Sequence, residues 1–220
     1  MTARAETLQR ILDGKIIAVI RFDSADQAAG IIDIIVSAGI AAVEITLTTD
    51  GAIGLIERLA GRDDLLIGAG TVLKKSRAKA VFDAGALFYA SPVFDPRLVA
   101  TAHQAGCVAM PGALTPTEVM AAWRGAADIV KLFPMPAEGA RYLSAIRAPL
   151  PDIPIAPSGG VSLETAEALL RAGAAALNVG TWLTHEPDGT ISDEKIIRDR
   201  AESLVALVRR VAGEIAVTES

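Results

Sequence analysis

Short apolar runs alternate with longer segments of helical periodicity along nearly the whole chain, which is the pattern of a parallel-sheet fold. Eight of these runs have the length of buried strands, and they are IIAVI (16–20), AAVEI (41–45), LLIGAG (65–70), LFYAS (87–91), CVAM (107–110), DIVKL (128–132), IPIAP (153–157) and ALNVG (176–180). Several helical segments between them end in an Ala-Gly pair, as expected where a glycine follows the last helical turn. Eight strand–helix units in 220 residues favour an α/β fold of the closed (β/α)8 TIM-barrel type over an open, doubly wound sheet.

The periodicity runs from one end of the chain to the other, with no Pro- or Ser-rich linker and no sharp change of composition. The first 15 residues are amphipathic, and the tail from Ile196 to Val217 has helical spacing of its apolar residues. A chain of 220 residues is long enough for one sizeable core and short for two. We therefore predict a single domain over residues 1–220, a barrel with an N-terminal helix and a closing C-terminal helix.

Composition and charge narrow the range of partners. Hydrophobic residues make up 51% of the chain but aromatic residues only 4%, so the core must be built mainly from Ala, Ile, Val and Leu. A net charge of −5 argues against non-specific nucleic-acid binding, which needs a basic surface. The most apolar stretch, residues 31–45, is interrupted by polar residues too often to span a membrane. One cysteine and no secretory signal pattern predict a cytoplasmic protein that binds neither nucleic acid nor membrane.

The residues at the ends of the predicted strands are the candidates for a functional site, because barrel active sites are built at the carboxyl ends of the strands. All eight ends carry polar, charged or glycine-rich sequence, namely Arg21, Glu44, Gly70-Thr71, Ser91-Pro92, Pro111-Gly112, Lys131, Ser158-Gly159-Gly160 and Gly180-Thr181. Three of these residues are charged: Arg21, Glu44 and Lys131. We expect this trio to form the candidate site.

Lys131 lies inside the apolar strand DIVKL, where an ammonium group is costly to desolvate. It could be an end-of-strand lysine that reaches solvent. The alternative is a reactive amine, because desolvation favours the neutral form that attacks a ketone to give a carbinolamine and then an iminium ion. Glu44 lies in a similar strand. It could be the counter-charge of Lys131 or Arg21, or the proton shuttle that imine chemistry requires.

Two glycine-containing loops follow the last two predicted strands, at Gly159-Gly160 and at Gly180-Thr181. Exposed backbone N–H groups at these two positions are where barrels commonly bind phosphate, with the help of a helix N-terminus. Glycines also serve tight strand-to-helix turns, so the two loops have a structural interpretation beside that of an anion site.

Metal and nucleotide cofactors are not expected. The two histidines, His103 and His185, have no carboxylate or thiol at ligand spacing, which argues against a metal site. The segment GAGT (68–71) lacks the third glycine and the downstream acidic residue of a dinucleotide-binding fingerprint, which argues against a nicotinamide.

The motifs VEITL, GAGTVL, SP, MPGALTPTE, KLFP, PSGGVS and NVGTWL occur in this order between Ile17 and Leu183. Together they resemble the aldolases of 2-keto-3-deoxy-6-phosphogluconate and 2-keto-3-deoxy-6-phosphogalactonate. The resemblance implies a class I aldolase that cleaves a phosphorylated 2-keto-3-deoxy sugar acid to pyruvate and D-glyceraldehyde 3-phosphate. It also implies a homotrimer that needs no metal.

The resemblance assigns a role to each candidate residue. Lys131 corresponds to the Schiff-base lysine and Glu44 to the general acid/base. The positions that correspond to substrate contacts are Thr71 for the pyruvate carboxylate, Pro92 and Phe133 for the pocket wall, and Gly159, Gly160, Gly180 and Thr181 for the phosphate.

The chain departs from the gluconate-type pattern at Thr48, where those enzymes usually carry an arginine that assists carboxylate binding. Galactonate-type members also lack that arginine and retain one at the end of the first strand, which Arg21 matches. The segment KLFPMPAEGARYL has the shorter spacing of the galactonate branch. Ser158 stands where gluconate-type enzymes tend to carry threonine, near the expected C4 hydroxyl. The resemblance therefore favours 2-keto-3-deoxy-6-phosphogalactonate as the substrate.

Other functions fit parts of the same pattern. Within the family, the alternatives are the phosphogluconate substrate and a 4-hydroxy-2-oxoglutarate aldolase. A phosphate-binding barrel isomerase or synthase would use Lys131 only as an electrostatic clamp. A non-catalytic barrel could bind a phosphorylated ligand as a sensor, although the charged trio makes this the weakest alternative.

Overall fold

The computed structural model describes residues 2–219, which form nine strands and ten helices. The strands are β1 (Ile16–Ile20), β2 (Ala42–Thr46), β3 (Leu66–Gly70), β4 (Phe88–Ala90), β5 (Val108–Met110), β6 (Gly112–Ala113), β7 (Val130–Leu132), β8 (Ile155–Pro157) and β9 (Leu177–Val179). The helices are α1 (Ala3–Gly14), α2 (Ala25–Ser37), α3 (Ala52–Leu59), α4 (Lys75–Asp83), α5 (Pro96–Gln104), α6 (Pro116–Arg124), α7 (Ala140–Arg147), α8 (Leu163–Arg171), α9 (Thr181–Thr184) and α10 (Glu194–Glu219). No helix in this part of the chain is both long and apolar enough to cross a membrane.

The strands form two parallel sheets, of order β5-β4-β3-β2-β1-β9 and β6-β7-β8. The break falls at Pro111 between β5 and β6, where the chain has no N–H to donate to a ladder. Hydrogen bonds link the sheets at both edges: the Asp128 N–H donates to the Ala109 carbonyl at 3.0 Å, and the Ala175 N–H donates to the Ile155 carbonyl at 2.8 Å. The α/β class and the parallel strands are confirmed, but the strands lie in two linked sheets and not in the one continuous sheet that the repeat predicts.

The strands are shorter than several of the apolar runs that predict them. The run 128–132, for example, becomes a strand only at Val130. The Asp128 carboxylate accepts a hydrogen bond from the Ala109 N–H at 2.8 Å and lies 3.0 Å from His103 Nε2. A polar residue at the edge of a run can thus shorten the strand by offering the backbone another partner.

Two apolar cores lie on opposite faces of the strands. The larger one, here called the outer core, fills the space between the sheets and the surrounding helices. The smaller one faces the interior and comprises Ile11, Ile17, Ala42, Leu66, Phe88, Ala90, Val108, Met110, Ile129, Ala156 and Ala176. Ile11 belongs to α1 and is fully buried, so this helix covers the amino-terminal end of the interior. The apolar half of the interior is therefore at the amino end of the strands, and the carboxyl end is left for polar groups.

Gly112 sets how closely the chain after β4 approaches β6. A Cβ atom at Gly112 would lie 2.6 Å from the Ser91 carbonyl oxygen and would also overlap the backbone of Pro92. Backbone atoms cannot rotate away as a flexible side chain can, so the position requires glycine.

We expect Gly112→Ala to lower the free energy of unfolding by about 1–3 kcal/mol, the usual effect of overpacking. Gly30→Ala in α2 is the matched control, because nothing lies within 4 Å of a Cβ added there. The control should raise the free energy of unfolding by roughly 0.5–1 kcal/mol, since alanine is the better helix former. Urea unfolding of the two variants measures both effects, and equal stabilities would contradict the proposed contact.

Candidate active site

Strand alternation turns Lys131 and Glu44 into the interior. On β7, Val130 and Leu132 belong to the outer core, so Lys131 between them faces the other way. On β2, Val43 and Ile45 pack in the same outer core, which leaves Glu44 facing inward. The two side chains therefore meet although 87 residues separate them in the sequence.

The two groups form a buried ion pair. Lys131 Nζ donates to both carboxylate oxygens of Glu44, at 3.0 Å each. The Lys131 side chain is 8% exposed and that of Glu44 is 1% exposed. Among residues 2–219 they are the two buried residues that carry a charge. Removing one partner of such a pair typically costs about 3–5 kcal/mol, because it leaves the other charge uncompensated. Each residue therefore holds the other in place.

Gly70, at the end of β3, makes room for the Glu44 carboxylate. A Cβ atom at Gly70 would lie 2.7 Å from Glu44 Cγ and 2.8 Å from Cδ. Gly70 pairs with Thr46, two residues beyond Glu44, so the added atom would stand in the path of the side chain. The sequence marks this glycine only as part of GAGT, and its steric role becomes visible only in the packing.

The pair can support imine chemistry. Transfer of a proton from Lys131 to Glu44 leaves an amine that can attack a carbonyl carbon, and the resulting carboxylic acid can return the proton to a departing oxygen. Cys107 does not offer a competing nucleophile. Its thiol is buried and donates to the Ala86 carbonyl at 3.2 Å, and burial raises its pKa to about 11. Within the described residues, no three His, Cys, Asp or Glu side chains cluster as metal ligands would.

Arg21 and Thr71 follow β1 and β3 at the carboxyl end of the large sheet. Arg21 is exposed, and its guanidinium makes no ion pair or hydrogen bond within residues 2–219. Thr71 is half-buried and has a φ of +57°, a left-handed conformation that is strained for a β-branched residue. Strain of this kind persists where the surrounding structure enforces it, often at functional sites.

Pro92 and Phe133 line one cavity of about 430 Å³, together with Gly112 and Glu118. The ring centroid of Phe133 lies 6.0 Å from Lys131 Nζ, so the cavity wall reaches the ion pair. Hydrogen bonds from the N–H groups of residues 114 and 115 lower the pKa of Glu118, which therefore stays ionised at the start of α6. Pro92 and Phe133 therefore line the same cavity, and Phe133 lies beside Lys131.

The two predicted phosphate loops leave neighbouring strands. Ser158 at the end of β8 is bridged in parallel to Asn178 of β9, and each loop begins one or two residues later. Gly159 and Gly160 are exposed with φ of +97° and +66°, a left-handed pair that favours glycine. Gly180 is half-buried, and Thr181 is exposed at the start of α9. Among the described residues, no hydrogen bond or ion pair joins these loops, or Arg21, to the Lys131–Glu44 pair.

Asn178 was not among the predicted site residues. It is buried in β9, inside the apolar run ALNVG. The signal that singles out Lys131 and Glu44, a polar residue within an apolar strand, is present at Asn178 as well.

Comparisons with known proteins agree with this geometry. The sequence model of the KDPG and KHG aldolases matches residues 8–198. A probable 2-dehydro-3-deoxy-6-phosphogalactonate aldolase of Rhizobium meliloti is 32% identical over 205 residues, which cover 92% of this chain and 95% of that protein.

Two solved structures are similar in both fold and sequence. The structure of native KDPGal has a TM-score of 0.81 and 30% identity, and the match covers 90% of this chain and 96% of that one. The KDPG aldolase of Legionella pneumophila, solved with pyruvate captured as a covalent carbinolamine, has a TM-score of 0.72 and 26% identity over 93% of this chain and 97% of that one. The chain therefore belongs to the KDPG and KHG aldolase family.

Proposed function

We propose that the protein is a class I aldolase that cleaves 2-keto-3-deoxy-6-phosphogalactonate to pyruvate and D-glyceraldehyde 3-phosphate through a Schiff base on Lys131. The observation that carries this proposal is the buried contact between Lys131 Nζ and both oxygens of Glu44 at 3.0 Å. The covalent carbinolamine in the Legionella pneumophila relative and the name of the Rhizobium meliloti relative support the same chemistry.

The reaction requires one amine and one proton shuttle. The Lys131 amine attacks C2 of the keto acid, and loss of water gives an iminium ion. Glu44 then removes the proton of the C4 hydroxyl, and the electron pair of the C3–C4 bond moves toward the iminium nitrogen. The aldehyde leaves, and an enamine remains. Protonation at C3 and addition of water release pyruvate and regenerate the amine.

The remaining residues bind the substrate. Thr71 contacts the pyruvate carboxylate, and Pro92 and Phe133 enclose the reacting carbons. Gly159-Gly160 and Gly180-Thr181 bind the phosphate through backbone N–H groups. The exposed left-handed glycines and the start of α8 three residues later support this assignment, because a helix N-terminus attracts an anion. No cofactor or metal takes part.

Arg21 is the residue that favours the galactonate substrate. Its strand pairs with β2 through Val19 and Glu44, so Arg21 lies two residues beyond the level of the ion pair. Its guanidinium is exposed and has no partner in the described chain, as a carboxylate-binding group requires. Thr48, where gluconate-type enzymes usually carry arginine, instead places its hydroxyl 2.9 Å from that of Thr46. Ser158 is buried at the end of β8 and contacts the C4 hydroxyl.

We further propose that the two sheets close into one (β/α)8 barrel and that residues 1–220 form a single domain. The hydrogen bonds at both sheet edges and the covering helix α1 support this closure. The family resemblance supports a homotrimer, and the single cysteine supports a reducing cytoplasm as its location. Exposed apolar side chains, Leu73 at 52% and Val93 at 51%, offer apolar surface for such an assembly.

Trapping with borohydride tests the Schiff base. We expect incubation with pyruvate and borohydride to add a reduced pyruvyl group to the peptide that contains Lys131, because reduction fixes the iminium ion. The exposed lysines, such as Lys74 and Lys79, serve as internal controls and should stay unmodified. Peptide mass spectrometry makes the measurement. An adduct on another lysine, or none, would refute the proposal, and appreciable activity of Lys131→Arg would favour the electrostatic clamp of an isomerase or synthase.

Glu44→Gln tests the proton shuttle. We expect kcat to fall by about 10²–10⁴-fold, the usual contribution of general acid–base catalysis. The variant should also be less stable, because it leaves the Lys131 ammonium without its counter-charge. Glu57→Gln is the control and should change neither quantity, because the exposed Glu57 carboxylate makes no hydrogen bond or ion pair within residues 2–219. Steady-state kinetics and urea unfolding measure the two effects, and a Glu44→Gln enzyme of normal kcat would assign Glu44 to ion pairing alone.

A side-by-side retro-aldol assay tests the choice of sugar acid. We expect a higher kcat/KM for the galactonate-configured than for the gluconate-configured substrate. Arg21→Ala should raise KM for the preferred substrate by about 10-fold or more, since a charged hydrogen bond is worth roughly 1.5–3 kcal/mol. Equal kcat/KM for the two sugars, or a preference for the gluconate configuration, would replace the galactonate substrate by its alternative.

A further inference from the structure

Asn178 is a buried polar residue with one half of its amide unpaired. It is 1% exposed, and its Nδ2 donates to the carbonyls of Ala156 and Pro157 on β8, at 3.3 and 3.4 Å. Its Oδ1 is buried and has no hydrogen-bond partner in the described chain. Rotating the amide by half a turn would point this oxygen at two carbonyl oxygens, so the contacts fix its orientation. A buried acceptor without a donor is unfavourable and calls for a partner.

Asn178 lies on β9, which is separated from the strand of Lys131 by β8 and from the strand of Glu44 by β1. Leu177 and Val179 pack in the outer core, so Asn178 faces the interior. The carbonyl of Ala156 that it binds belongs to the register partner of Lys131. On its other side Asn178 pairs with β1, the strand that also pairs with β2 beside Glu44.

This spacing matches the layers of a barrel interior, in which four side chains from alternate strands meet. The residues that fit such a layer are Glu44, Ala90, Lys131 and Asn178, which lie on the second, fourth, sixth and eighth strand–helix units and are all buried. Glu44 and Lys131 are in contact, so the layer is assembled at least across this pair. Asn178 therefore shares an interior layer with the two groups that carry out the reaction, and its Oδ1 is unpaired within that layer.

The proposed reaction leaves an N–H group of Lys131 without an acceptor. An ammonium has three N–H groups and an iminium has one. During C–C cleavage Glu44 must turn to the C4 hydroxyl, and the nitrogen of Lys131 then loses the carboxylate that faces it in the free enzyme. A neutral acceptor held rigidly on another strand would keep this nitrogen oriented without competing for the proton.

We propose that Asn178 is a positioning residue that accepts, through Oδ1, a hydrogen bond from the protonated nitrogen of Lys131 once the substrate has drawn Glu44 away from it, both as the ammonium of the substrate complex and as the iminium. This inference rests on the proposed Schiff-base function. It assigns the β9 asparagine a part in the reaction in addition to its link between β8 and β9.

The pH dependence of imine formation tests this role. Glu44 is the charged group that faces Lys131 from the surrounding strands, and Arg21 lies exposed after β1. Neither residue is changed in the variants of Asn178. The rate of borohydride trapping with pyruvate is measured against pH, together with kcat and KM of the retro-aldol reaction. In Asn178→Leu, loss of the acceptor should move the acidic limb of this pH–rate profile to lower pH by about one unit. Its kcat should fall about tenfold with little change in KM.

Asn178→Asp should move the same limb in the opposite direction, to higher pH, because a carboxylate stabilises the ammonium more than an amide does. Both variants lose the Nδ2 link to β8, so a purely structural role predicts a shared loss of stability and no movement of the limb. Opposite shifts therefore distinguish the two roles, and the Asp variant, which keeps the side-chain shape, tests the proposal if the Leu variant does not fold.

Leu177→Ala is the matched control on the same strand. It opens a cavity in the outer core and should lower the melting temperature while leaving the limb and kcat unchanged. An unchanged limb in both Asn178 variants would overturn the proposal. That failure differs from a failure of the proposed function, because the wild-type enzyme would still form a pyruvyl adduct on Lys131.

Discussion

The ion pair between Lys131 and Glu44 sets the requirements that the surrounding structure meets. An ammonium and a carboxylate withdrawn from water persist together only if each remains within reach of the other. Here both oxygens lie 3.0 Å from the nitrogen, and no other buried charge stands within residues 2–219. The strands that carry the pair must therefore keep their register, and neighbouring positions must have small side chains that leave room for the pair. Gly70 does so for Glu44.

The interior divides into an apolar half and a reactive half because of what covers each end. Helix α1 covers the amino end with Ile11, and the residues packed there are aliphatic apart from Phe88 and Met110. Thr71, Pro92 and Gly159 lie in loops that follow the strands at the carboxyl end. Burial of the apolar half contributes stability. It also gives the adjacent ion pair a low-dielectric environment, in which charges interact more strongly.

Two features at the reactive end cost stability. Thr71 has a strained left-handed backbone, and the oxygen of Asn178 has no donor among residues 2–219. A protein under selection for stability alone would not retain both of them. Arg21 is exposed at the same end of the strands and has no counter-charge within the described residues. These three features agree with a site that is prepared for a ligand.

The sequence by itself determined the α/β class, the order of strands and helices, and the residues that form the ion pair. It could do so because buried strands are apolar, and a charge within one stands out at once. Only the tertiary structure decided that the strands lie in two linked sheets, that Gly70 must lack a Cβ, and that Asn178 has an unpaired oxygen. These properties depend on distances between residues far apart in the chain. Periodicity reports the face on which a side chain lies, but not the atoms that it meets.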